Sequence, residues 1–184
     1  MKQNITSDMM NQFKKRITSL FDYVPTRYKA TQNEWKVRKF VWGFKDGQYS
    51  DYTAKLVADR INAIYGDEAK HMVFCCVPAS SEEKNEIRYR NFSAKVCELT
   101  GAENAFAAVH VEGERLAIHE SRIAKRVQNT EVITFDKEFF SGKRVLVFDD
   151  IITRGYSYAN FACHLEKLGA VVLGGLFLAK TIIH

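Results

Sequence analysis

Proline is almost missing from this chain of 184 residues, which has two prolines and ten glycines. No Pro- or Gly-rich linker divides it, and it contains neither a low-complexity tract nor an internal repeat. No apolar run reaches the roughly 20 residues of a membrane span. The opening MKQNITSDMM has no apolar core of the signal-peptide kind, so the expectation is a cytoplasmic protein with no membrane partner. Cys75, Cys76, Cys97 and Cys163 form no CxxC pair, which excludes the usual zinc and redox spacings and leads us to expect reduced core thiols and no metal-ligand set. Lys and Arg exceed Asp and Glu by five, yet no Lys/Arg run gathers that excess. Such a balance fits a small polyphosphate and disfavours nucleic acid.

What is present is a 46% apolar share, enough for one substantial core in a single domain spanning residues 1–184. Met10, Phe13, Ile17, Leu20 and Phe21 share a helical face, so an amphipathic helix over residues 6–22, capped by Thr6 or Ser7, is expected. The aromatic-rich segment that follows, to about residue 50, is ambiguous. Ser50 or Asp51 caps the next expected helix, with Ala54, Val57, Ala58, Ile61 and Ile64 inward and Gly66 after its end. Residues 72–77 then read as the first core strand, ended by Pro78, and residues 103–111 and 132–135 as further strands.

The most informative stretch is RVLVFDDIITRGYS, residues 144–157. Val145, Leu146, Val147 and Phe148 lack polar alternation, the mark of a strand buried on both faces of a parallel sheet. Asp149 and Asp150 stand at its end. A turn with Thr153, Arg154, Gly155, Tyr156 and Ser157 leads into a helix, with Gly169 beyond its end and an apolar strand over residues 170–179. The result is a β-α-β unit with ligands expected at the strands' carboxyl ends. Orphan amides at the helix start suit a phosphate. The neighbouring carboxylates repel a phosphate and suit a neutral diol instead, each charge-assisted hydrogen bond being worth roughly 1.5 to 3 kcal/mol. Together they describe a ribose 5-phosphate.

VLVFDDIITRGYS resembles the signature of type I phosphoribosyltransferases. The resemblance implies an α/β fold with a mostly parallel central sheet flanked by helices, the core in residues 51–184, and a hood over the acceptor built from residues 1–50. It implies that Asp149 and Asp150 bind the ribose hydroxyls of phosphoribosyl pyrophosphate (PRPP), brought with Mg2+, and that Thr153, Arg154, Gly155, Tyr156 and Ser157 wrap its 5-phosphate. Pro78, Ala79 and Ser80 resemble the family's pyrophosphate loop, with Arg88 and Arg90 as a guanidinium clamp. Arg90, Asn91 and Phe92 resemble a cluster of the ComF-like subgroup, whose four-cysteine zinc element is absent here. A mobile lid is implied for the polar span 112–130, where Arg122, Lys125 and Arg126 would meet the leaving pyrophosphate and Arg122 would act in catalysis.

The implied reaction is transfer of phosphoribosyl to an unidentified, nitrogenous acceptor, and family members commonly pair as homodimers. Purine-salvage members place an acid where Thr153 stands, which argues against hypoxanthine or guanine. Two other readings fit the same cradle: a non-catalytic PRPP or nucleotide sensor, and a ComF-type protein of DNA uptake.

Overall fold

In a computed structural model, which describes residues 6–112 and 132–182, the continuous apolar runs of the sequence become the middle of one parallel sheet. Its strands are β1 (Arg16–Tyr23), β2 (Val73–Cys76), β3 (Glu103–Asn104), β6 (Arg144–Ile152) and β7 (Val171–Thr181), in the spatial order β1-β7-β6-β2-β3. Every pairing is parallel. A separate antiparallel ribbon joins β4 (Val109–Glu112) and β5 (Val132–Phe135). The helices are α1 (Ser7–Gln12), α2 (Gln32–Lys45), α3 (Ser50–Tyr65), α4 (Glu82–Thr100), α5 (Lys137–Phe140) and α6 (Tyr156–Lys167). The architecture is the expected α/β one, a parallel central sheet flanked by helices.

Successive residues of a strand point to opposite faces, and β6 uses both. Leu146 and Phe148 enter a cluster with Phe44, Phe74 and Phe92, under α2, α3 and α4. Val145 and Val147 enter a second cluster with Phe140, Tyr158, Phe161 and Phe177, under α6. Phe148 is fully buried and its ring lies 4.8 Å from that of Phe92, a burial that contributes about 2 to 3 kcal/mol. Two-sided burial is what keeps polar residues out of Val145–Phe148.

The structure corrects several expectations. Residues 6–22 are not one helix: α1 stops at Phe13, and residues 16–23 form β1, the sheet's edge strand beside β7. β-Branched Ile17 and Thr18 favour the extended form, and an open parallel edge on β7 offers backbone partners that an isolated helix lacks. Residues 103–111 are not one strand either. Asn104 accepts the Phe106 amide on its side-chain Oδ1 at 2.9 Å, an Asx turn that ends β3 and starts a 3-10 turn over Phe106–Ala108. β5 pairs with β4 rather than with the main sheet.

Tyr49, not Ser50 or Asp51, is the N-cap of α3, at a left-handed φ of 58°. β2 is the second strand of the sheet in chain order, not the first. β6 runs through both aspartates to Ile152, and β7 runs on through Lys180 to Thr181, past the expected end at residue 179. Gly66 and Gly169 end α3 and follow α6 as expected, and Thr6 caps α1 by accepting the Met9 amide.

Candidate functional site

Asp150 follows Leu146 and Phe148 on the same face of β6, so it emerges among α2 and α4 rather than into solvent. It is only 6% exposed. The Arg88 Nη1 of α4 donates to its Oδ2 at 2.7 Å, and the Lys45 Nζ at the end of α2 stands 3.3 Å from its Oδ1. Arg88 Nε also donates to the Lys45 carbonyl at 3.3 Å, tying the ends of two helices to one carboxylate. Buried charges persist only when paired in this way.

Asp149 points to the other face, and its Oδ1 accepts the Asp150 amide at 2.8 Å. Burial first, and the charge of Asp150 second, push its carboxyl up to about 8, against the opposing pull of that amide, Lys45 and Arg88. The hydroxyl of wholly buried Tyr89 has no hydrogen-bond partner among the described residues. The two aspartates lie close enough for their charges to reinforce burial in holding that phenol well above its usual range.

Beyond Ile152 the chain turns. Thr153 Oγ1 lies 2.8 Å from Thr181 Oγ1 of β7, which fixes the turn to the neighbouring strand. Gly155, at φ +74°, is the N-cap of α6 and offers no side chain to the first-turn amides. The amides of Tyr156, Ser157 and Tyr158 thus begin the helix without the intrahelical partners of later residues. A Cβ on Gly155 would meet the Phe13 ring, which covers one side of the turn. Arg154 and Ser157 are exposed at its rim, and Tyr156 is half-buried.

The carboxyl end of β2 is held alongside, because the Val77 amide donates to the Phe148 carbonyl at 2.8 Å. In the loop after it, buried Asn85 accepts the Ala79 amide on Oδ1 at 3.1 Å, and Ser81 caps α4 by accepting the Lys84 amide. Pro78, Ala79 and Ser80 therefore border the aspartates, with the Ala79 amide already engaged.

Solved structures similar to this chain include two transferases. One is an adenine phosphoribosyltransferase from Thermoanaerobacter pseudethanolicus, 17% identical, covering 74% of this chain and 82% of that one with a TM-score of 0.43. Another is a purine phosphoribosyltransferase from Pyrococcus horikoshii, 12% identical, covering 90% of this chain and 91% of that one with a TM-score of 0.38. No family model and no curated protein matches the sequence.

Of the residues singled out in the sequence, the structure gathers Asp149, Asp150, Arg88, the 78–80 loop and the 153–157 turn at one end of the sheet. Arg90 is elsewhere. Two positions along α4 is about 200° of rotation, and Arg90 is exposed, ion-paired with Glu86, its guanidinium 5.2 Å from the Phe106 ring. Phe92 belongs to the core and Asn91 is exposed. Arg122, Lys125 and Arg126 lie outside the described residues. Lys45, Asn85 and Tyr89 are additions that the sequence reading does not include. Tyr89 is legible in retrospect, since Tyr89, Phe92 and Val96 recur at helical spacing. Nothing local marks Lys45 or Asn85. Among the described residues no group of three or more His, Cys, Asp or Glu side chains could hold a metal ion.

Proposed function

We propose that this chain is a phosphoribosyltransferase: it binds PRPP at the carboxyl end of β6 and transfers phosphoribosyl to a nitrogenous acceptor, releasing pyrophosphate. The observation that carries the reading is the junction itself. Two adjacent acids, one of them ion-paired with Arg88 and Lys45, stand directly before a Gly-capped helix start that has no side-chain cap hydrogen bond. In this reading Asp149 and Asp150 accept hydrogen bonds from the ribose 2- and 3-hydroxyls. Thr153, Arg154, Gly155, Tyr156 and Ser157 enclose the 5-phosphate, and Pro78, Ala79 and Ser80 border the diphosphate.

The anomeric carbon then gains positive character as the bond to pyrophosphate breaks, and the acceptor nitrogen forms the new bond. Arg88 and Lys45 supply two cations beside the acids, positive charge where the leaving diphosphate develops its own. Carboxylate oxygens are hard donors of the kind Mg2+ takes, so Asp149 and Asp150 would be the residues to hold an ion brought with the ligand. Such an ion neutralises diphosphate charge when it is bound. Thr153 in place of an acid disfavours hypoxanthine or guanine as acceptor.

The test is PRPP-dependent pyrophosphate release with Mg2+ across a panel of bases, run beside calorimetry of PRPP alone. Release with one acceptor supports the transferase. Absence of any heat with PRPP overturns the proposal. Binding without release with every acceptor tried selects the second reading, a non-catalytic PRPP sensor, which the existing Arg88–Asp150 and Lys45–Asp150 pairs favour because they hold the site's cations in place.

A further inference from the structure

A second surface, apart from the acids, is built on the outward face of α2. Trp35, Lys39 and Trp42 recur at i, i+4 and i+7, the spacing of one helical face, and here that face looks away from the core. Trp35 and Trp42 are 43% and 37% exposed. Their rings stand 6.1 Å apart at 85°, edge to face and not stacked on one another. Arg38, nearly buried, organises the surroundings: it lies 4.8 Å over the Trp35 ring and donates to the carbonyls of Val24, Pro25 and Tyr28. That clamp brings the turn carrying Arg27, Tyr28 and Lys29 beside the indoles, and the Arg27 guanidinium lies 4.9 Å over Tyr28. On the other side, Trp42 Nε1 donates to the Tyr23 hydroxyl at 3.1 Å.

The charge is as lopsided as the aromatics. Residues 23–45 contain Arg27, Lys29, Lys36, Arg38, Lys39 and Lys45 against one acid, Glu34. That surplus of five equals the surplus of the whole chain, so the other residues balance. Arg27, Lys29, Lys36 and Lys39 are exposed, and none is in an ion pair among the described residues. No Lys/Arg run appears in the sequence because the cations alternate with rings and are assembled only by the helix and the Arg38 clamp.

We propose that this face docks single-stranded nucleic acid, its unpaired bases stacking on Trp35 and Trp42 and its phosphates meeting Arg27, Lys29, Lys36 and Lys39. Cations interleaved with exposed rings match a strand whose charges alternate with π-faces. A lipid surface, by contrast, asks for a broad aliphatic face, and this stripe has none.

Both tryptophans of the chain lie in the stripe, so intrinsic fluorescence reports on it alone. The full chain is titrated with 20-mers of oligo(dT) and oligo(U), with PRPP present at saturation, and the titration is repeated by anisotropy of a labelled strand. Quenching is expected with either strand, and weaker binding with a duplex of equal length. Four released counterions on a single strand give a slope near −3 in log affinity against log salt, or about 50-fold weaker binding from 50 to 200 mM. Trp35→Ala is expected to weaken binding at least tenfold and Trp35→Phe to restore it to within about threefold, given the cost of losing one stacked base. Lys36→Glu with Lys39→Glu should lower both affinity and slope. The proposal is overturned by absent quenching, by salt-independent binding, or by full affinity in Trp35→Ala. It is equally overturned if anionic vesicles blue-shift the emission while oligonucleotides do nothing, or if the same substitutions only dissolve a dimer of this chain.

Discussion

At the scale of single residues, Asp149 sets the pH behaviour. Its carboxyl is raised to about 8 from an ordinary value near 4, so the folded protein holds a proton that the unfolded chain has released. The stability this gives is whole below the unfolded pKa, falls as pH rises towards 8, and is flat above. Thermal melts of the native protein should therefore decline from pH 5 to 8, and Asp149→Asn, which cannot ionise, should decline less. The ligand reports the opposite sign. If the ionised acid is what accepts ribose hydroxyls, PRPP affinity should rise about tenfold from pH 7 to 9, and calorimetry of Asp149→Asn should show that slope gone. Arg88 acts through Asp150. Arg88→Met leaves a buried carboxylate with Lys45 alone, and urea denaturation should register a loss of about 3 kcal/mol. Asp149, Asp150 and Arg88 are legible in the sequence from the acid pair and the helix after the loop. Lys45 is not, because the contact spans the distance between α2 and β6 and has no local signature.

At the scale of elements, the turn into α6 is the most constrained. Gly155→Ala puts a methyl group against Phe13 and an L-residue at φ +74°, and about 1 to 2 kcal/mol of backbone strain alone follows. The expected outcome is a lowered melting point together with weakened PRPP binding. If only the melting point moves, the turn is structural. β1 is the element whose identity the sequence hides. Its apolar residues at 17, 20 and 21 fit a helical face as well as a strand, and so short a segment takes the form its neighbour completes. β7 provides that neighbour: its pairing with β6 skips Leu173, opposite the Val145–Leu146 step, and at the next residue, Gly174, a Cβ would collide with the Arg16 carbonyl of β1. Gly174→Ala should part β1 from β7, seen as faster amide exchange across residues 16–23.

At the scale of the whole molecule, β1 is the cover of a strand that reads VVLGGLFLAKT. Removing residues 1–23 would uncover that edge, and an apolar edge strand templates association. Light scattering should find aggregates in the truncated chain and none in the native one. Any ligand that binds only the folded form raises the melting point, so PRPP at 100 times its Kd should add about 2.7 kcal/mol. Among the described residues no helix is long and apolar enough to cross a membrane.

The amino-acid order by itself determined the fold class and the acid-turn-helix junction. Both rest on short-range signals: an unbroken apolar run at 145–148, adjacent carboxylates, and a glycine where a left-handed residue is needed. Only tertiary structure decided that residues 16–23 are a strand, that Arg88 rather than Arg90 reaches the acids, and that Arg38 ties the turn around Tyr28 to the Trp35 ring. Each of these depends on which distant backbone or side chain lies opposite, and hydrogen bonds, ion pairs and burial are settled in space, between residues that the chain keeps far apart.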